Sequence, residues 1–135
     1  MSDCCAPVKD AVILACSGGS NVGQLTNEAA KALDQLGQGR FFCGIGIGAG
    51  LPTFIETARN ATCVALDGCE VACLKRALDY AGLTPDVYVV VTELGIEKGH
   101  HFDLPRDQVA EVAGTVAAAL EDLGAGPAGG CGCGG

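Results

Sequence analysis

The 135 residues contain no tryptophan, and four Phe and two Tyr are the only aromatic rings besides two histidines. A core must then be built from Ala, Val, Leu and Ile, which suits small helices packed on strands. Basic residues are scarce as well: eight Lys and Arg face sixteen Asp and Glu, a formal net charge of −8. Such a surface repels phosphodiester backbones and anionic lipids, so neither nucleic acid nor membrane is an expected partner. No apolar run approaches the ~20 residues that cross a bilayer; the longest are Ala11 to Cys16 and Val87 to Val91. The opening MSDCCAPVKD lacks the basic start and the apolar stretch of about 7–15 residues that mark a secretory signal, and a cytoplasmic protein is expected. No C-x-x-C pair is present, which removes the zinc-ribbon and thioredoxin signatures. No Ser-His-Asp order or carboxylate pair supports a hydrolase.

Cysteine is abundant, with nine in the chain, and 49% of residues are hydrophobic against 18% charged. The length fits one domain that buries roughly two thirds of its unfolded surface. In a reducing compartment cysteines at this density are more often metal ligands or redox groups than disulfides, and an odd number argues against a fully paired framework.

Hydrophobic periodicity divides the chain into βα units. Ala11 to Ala15 is a strand buried on both faces that ends at Cys16-Ser-Gly-Gly-Ser20. Val22, Leu25, Ala29, Leu33 and Leu36 predict a helix, with Ser20 or Asn21 to cap it and Gly37 to end it. Arg40 to Cys43 reads as a short strand entering a glycine-rich loop, Gly44-x-Gly-x-Gly48, and Pro52 to Arg59 as a brief helix. Thr62 to Leu66 is a third strand, followed through Asp67-Gly-Cys69 by a helix expected over 70–80. Asp86 to Glu93 is a fourth strand, the loop 94–102 carries both histidines, and a helix over 104–123 with Asp103 as cap closes the series. This alternation implies an α/β fold of three layers, Rossmann-like, with a mostly parallel sheet of about four strands and helices on both faces.

In such a sheet, strands followed by helices deliver their C-terminal ends to one edge, where ligands generally bind. Cys16, Cys43 and Cys69 each stand at or just after a strand end, and Cys73 follows Cys69 at helical spacing, which predicts two sulfurs on one helix face. Helix N-termini and unpaired N–H groups favour thiolates, so four such cysteines form a candidate tetrahedral thiolate site for zinc. An iron–sulfur cluster or Cu(I) suits the same soft donors. Free cysteine is also a frequent core residue, and Cys63, inside a strand, reads that way.

The segments Cys16-Ser-Gly-Gly-Ser-Asn-Val-Gly-Gln-Leu-Thr-Asn27, Phe42-Cys-Gly-Ile-Gly-Ile-Gly-Ala-Gly50, Leu66-Asp-Gly-Cys-Glu-Val-Ala-Cys73 and Val91-Thr-Glu-Leu-Gly-Ile96 together resemble the DGC-domain family of zinc-binding proteins, named for the tripeptide at 67–69. The resemblance spans roughly residues 10–98, with separate motifs in order. It implies a bacterial or archaeal protein whose four metal-binding cysteines are Cys16, Cys43, Cys69 and Cys73. The organisation expected is a flexible Cys-Cys head over 1–9, a DGC-like metal-binding domain over 10–123 and a flexible Gly/Cys tail over 124–135. Cys4, Cys5, Cys131 and Cys133 fall outside the common core. They form a second, mobile thiol site suited to capturing and handing over soft metals, help to close the first site, or are incidental thiols on untethered ends.

Other groups carry weaker signals. Ser17, Gly19, Ser20 and Asn21 at a strand-to-helix turn suit an anion at a helix N-terminus, or simply capping and turn packing. The segment is no Walker loop, and the Gly44 loop lacks the acidic residue of a dinucleotide site. Asp67 either caps the next helix or orients Cys69 from outside the ligand shell. His100 and His101 are alternative nitrogen ligands or a solvated loop pair, and Glu93 a base or outer ligand. The functional expectation is a protein that holds zinc or another soft metal through thiolates, in metal or sulfur handling with a protein partner. The alternative is a cysteine-based redox or sulfur-transfer enzyme, with an iron–sulfur cluster among its options.

Overall fold

The computed structural model describes residues 10–124. Cys4, Cys5, Cys131 and Cys133, with the expected head and nearly all of the expected tail, lie outside the described residues. The chain runs β1 (Ala11–Ala15), α1 (Asn21–Gln35), β2 (Arg40–Phe41), α2 (Gly44–Gly48), α3 (Pro52–Arg59), β3 (Thr62–Asp67), α4 (Cys73–Tyr80), β4 (Val87–Val90), a 3-10 turn over Val91–Leu94, and α5 (Arg106–Gly124). All four strands are parallel, in the order β2-β1-β3-β4.

Side-chain alternation along the strands makes the layers. Ile13, Ala15, Val64, Leu66, Val87 and Val89 face α1 and α5, which supply Val22, Leu25, Leu33, Val112 and Val116. Val12, Leu14, Cys63 and Ala65 face the opposite layer, where α2, α3 and α4 supply Ile47, Ala58, Leu74 and Leu78. The result is the expected three-layer Rossmann-like arrangement. From β1 the chain steps to β2 on one side, then crosses to β3 on the other. That reversal opens a crevice at the C-terminal ends of β1 and β3.

Several local expectations are corrected. Gly44-x-Gly-x-Gly48 is the helix α2 rather than a loop. Gly46 has no side chain, and the Phe54 ring of α3 fills the space where one would be. Helix α4 starts at Cys73, not Glu70, because Ala72 takes a left-handed conformation (φ 56°) and ends the turn that follows β3. Cys69 and Cys73 therefore do not share a helix face. Strand β4 gives way to the 3-10 turn at Val91, and α5 begins at Arg106 just past Pro105, leaving Asp103 outside it. Ser20 caps α1 as expected, its Oγ accepting from the Gly23 N–H at 3.0 Å.

The crevice is narrow because backbones touch there. A Cβ on Gly23 would lie 2.5 Å from the Gly18 carbonyl oxygen, and one on Gly68 would lie 2.8 Å from the Gly23 nitrogen. Alanine at a helical glycine gains about 1 kcal/mol of propensity, but a forced backbone shift costs about 1–3 kcal/mol and wins when neither neighbour can rotate away. Gly23→Ala and Gly68→Ala are expected to lower the urea midpoint, whereas Gly19→Ala, with nothing within 4 Å of its Cβ position, leaves it within error.

Candidate functional site

Cys16 follows the last residue of β1, and its N–H still pairs with the Leu66 carbonyl of β3 at 3.0 Å. Ser17 then turns through a left-handed conformation (φ 51°), and its N–H donates to Thr26 Oγ1 at 3.1 Å. The Thr26 hydroxyl, fully buried, donates to the Gly23 carbonyl at 2.6 Å. Cys16 Sγ lies 3.8 Å from Thr26 Oγ1. With that hydroxyl proton committed to Gly23, the Cys16 thiol is the donor in the contact.

The tripeptide at 67–69 divides into three tasks. Asp67, 1% exposed, takes the Leu74 N–H on Oδ1 and the Lys75 N–H on Oδ2, both at 2.9 Å, and the Tyr88 hydroxyl on Oδ2 at 2.8 Å. It caps α4 from the end of β3, where Ala72 offers no side-chain cap, and its negative charge sits at the positive end of the helix. Burial, and then the bond to Asp67, hold the Tyr88 phenol well above its ordinary range, with the charges of Asp67, Glu93 and Cys16 acting the same way. Gly68 admits the first turn of α1. Cys69, half-buried, accepts a hydrogen bond from Lys98 Nζ at 3.3 Å.

Lys98 is held there by a residue from the other end of the sequence. Asn21 Nδ2 donates to the Glu97 carbonyl at 2.8 Å, its Oδ1 accepts the Gly99 N–H at 2.6 Å, and its own N–H donates to the Gly99 carbonyl at 3.1 Å. Asn21 thus brackets Lys98 on both sides. At the start of α1 the Asn21 N–H goes to Gly99 and the Gly23 and Gln24 N–H groups go to Ser20, while in the preceding turn the Ser17 N–H goes to Thr26. Ser17, Ser20 and Asn21 therefore serve turn and loop packing, while Gly19 is exposed in the turn between them. His100 and His101 are exposed; His100 packs edge-on to Phe102, and His101 Nδ1 accepts the Asp103 N–H at 3.3 Å. Glu93 is exposed on the 3-10 turn.

Two adjoining cavities open on this rim. One, about 570 Å³, is bounded by Cys16, Cys43 and Cys73 with Phe41, Phe42, Phe54 and Leu74, the Phe42 and Phe54 rings lying 5.4 Å apart. The other, about 270 Å³, is bounded by Cys16, Cys69 and Cys73 with Asp67, Gly68 and Lys98. Cys16 and Cys73 border both, Cys43 only the first, and Cys69 only the second. Among the described residues, no three His, Cys, Asp or Glu side chains are grouped closely enough to hold one ion. A larger cavity, about 1150 Å³, lies beside the N-terminal ends of β1 and β2 and has no cysteine in its wall.

The family model of the DGC domain matches residues 12–116. The chain belongs to the DGC-domain family. It is similar to the anaerobic and virulence modulator AnvM of Pseudomonas aeruginosa, 34% identical over 93 residues that cover 68% of this chain and 71% of that protein. No solved structure matches. Among the described residues, no helix is long and apolar enough to cross a membrane.

The remaining described cysteine of this DGC domain is structural. Cys63, 3% exposed, lies near the start of β3, and its N–H donates to Asp86 Oδ2 at 2.8 Å. Sequence reasoning missed Lys98, Tyr88, Thr26 and the bracket made by Asn21. The one available signal was that Lys98 is the only Lys or Arg between Glu93 and Pro105.

Loss of the Asp67 carboxylate strands two helix N–H groups and the Tyr88 hydroxyl. Asp67→Ala is expected to cost about 2–4 kcal/mol in urea unfolding, and Tyr88→Phe, which leaves both N–H bonds intact, about 1 kcal/mol. Equal costs would contradict the capping role. A second expectation concerns pH. Burial, and then the charge of Asp86, push the Cys63 thiol from its ordinary value of 9.0 up to about 11. The unfolded state releases this proton first, so the stability it contributes is intact below pH 9 and falls as pH rises toward 11. Cys63→Ala should remove its part of that decline, read from urea midpoints below pH 9 and near pH 11.

Proposed function

We propose that the protein binds a soft metal ion, zinc before others, through thiolates of Cys16, Cys43, Cys69 and Cys73 at the C-terminal edge of the sheet. The observation that carries this reading is the shared wall: Cys16 and Cys73 border both rim cavities, with Cys43 in one and Cys69 in the other. The donor set fits the chemistry, because thiolates select zinc, Cu(I) and iron–sulfur clusters over hard cations. The fit is one of chemistry and placement, since the described thiols are not gathered into a ready-made cage. Loading requires these four thiols to draw closer together than they stand here. When bound, the ion would tie the ends of β1 and β3 to the start of α4. Asp67 acts outside the ligand shell by holding the helix on which Cys73 sits.

The setting we propose is cytoplasmic, with the ion sensed or passed to a protein partner. A regulatory use agrees with a relative named as a modulator. A second reading, a cysteine-based redox or sulfur-transfer enzyme, is favoured by the Lys98 ammonium on Cys69, because reactive cysteines sit in electropositive, partly exposed surroundings.

The test is elemental analysis of protein purified without added metal. A colourless protein carrying zinc, whose content drops at least severalfold in Cys69→Ser and Cys73→Ser and is unchanged in Cys63→Ala, supports the first reading. A brown protein favours an iron–sulfur cluster and the second. Equal losses across the three variants overturn the ligand assignment.

A further inference from the structure

The contact between Cys69 and Lys98 allows chemistry that neither metal binding nor family membership requires. A lysine nitrogen 3.3 Å from a cysteine sulfur is already at hydrogen-bonding distance, and both side chains start from anchored backbone. Cys69 follows Gly68, which is wedged against Val22 and Gly23, and the Cys69 carbonyl is tied to the Ala72 N–H at 3.0 Å. Lys98 is flanked by Glu97 and Gly99, whose backbone groups make three hydrogen bonds to Asn21, itself 3% exposed. The sulfur is half-buried and borders a cavity of about 270 Å³, so a molecule as small as a peroxide reaches it.

We infer that Cys69 and Lys98 form a redox modification site, at which a hydroperoxide converts the pair into a reversible sulfur–nitrogen cross-link. The steps balance. The Cys69 sulfur attacks one peroxide oxygen and the O–O bond breaks, giving sulfenic acid and one water; sulfur is oxidised by two electrons and the peroxide is reduced. The neutral Lys98 amine then displaces the hydroxyl from sulfur. The S–O bond breaks, an S–N bond forms, and the hydroxyl leaves as water with one amine proton. Thiol, amine and hydrogen peroxide become sulfenamide and two waters, and the ammonium's extra proton goes to solvent. A dithiol reductant returns the thiol and the amine. The link would join the turn after β3 to the loop after β4, the same two segments that Asn21 and Gly68 hold against α1. This inference stands apart from the metal reading, since it needs no ion and involves one of the four thiols.

The experiment treats full-length protein, stripped of metal by a chelator, with stoichiometric hydrogen peroxide, blocks remaining thiols, and maps peptides by mass spectrometry without reductant. The expected product joins the Cys69 peptide to the Lys98 peptide with a mass two hydrogens below their sum, and dithiothreitol separates it. Lys98→Arg, which keeps a cation on the loop, should abolish the product. Asn21→Ala should reduce it severalfold by freeing the loop. Recovery of Cys69 only as free thiol, as sulfinic acid or in a disulfide with Cys16 or Cys73 overturns the inference, as does an undiminished product in Lys98→Arg. Metal content, measured separately on untreated protein, reports on the thiolate site without bearing on this result.

Discussion

Three backbones meet without intervening side chains where Gly18, Gly23 and Gly68 come together, and the arrangement of the rim depends on that contact. It sets the loop after β1, the first turn of α1 and the turn after β3 at van der Waals distance. A β-carbon at 23 or 68 would separate them and widen the crevice at the strand reversal. Cys16 and Cys69, 53 positions apart in sequence, border one small cavity because these segments touch.

Polar groups complete what the glycines begin. Asp67 carries the end of β3 into the start of α4, and so fixes the backbone from which Cys73 projects. Asn21 carries α1 to the loop after β4 and brings in a positive charge from a segment that supplies no thiol. Thr26 links the Cys16 turn to α1. Every buried side-chain nitrogen or oxygen among the described residues has a hydrogen-bond partner, so the rim sits on a satisfied polar framework. The thiols are the groups left at the surface of that framework, and their chemistry is soft.

The fold was legible because periodicity is a backbone-scale signal. The apolar runs at 11–15, 62–66 and 87–90 and the three- and four-residue steps of α1 and α5 reflect burial alone, and burial also decides the layers. Helix α2 was not legible, since three glycines in five residues have poor intrinsic propensity and it is tertiary packing, Ile47 buried in the core and the Phe54 ring on Gly46, that gives them a reason to be helical. The start of α4 was misplaced for a related reason: its cap is Asp67, too far upstream for the usual spacing rule, and Ala72 turns left-handed without a glycine. Cys16, Cys43 and Cys69 were legible as residues at strand ends, whereas the helix face on which Cys69 and Cys73 were expected together is broken by the left-handed turn at Ala72. Lys98 was not legible, because its position is fixed by hydrogen bonds to Asn21 spanning 76 and 78 positions.

The shared cavity walls put the proposed thiols side by side, and the proposed role stands or falls on whether sulfur binds the ion. X-ray absorption at the metal edge of the protein as purified tests this most directly. The account predicts a first shell of at least three sulfur scatterers, at about 2.3 Å if the metal is zinc. A first shell of nitrogen and oxygen alone would contradict it.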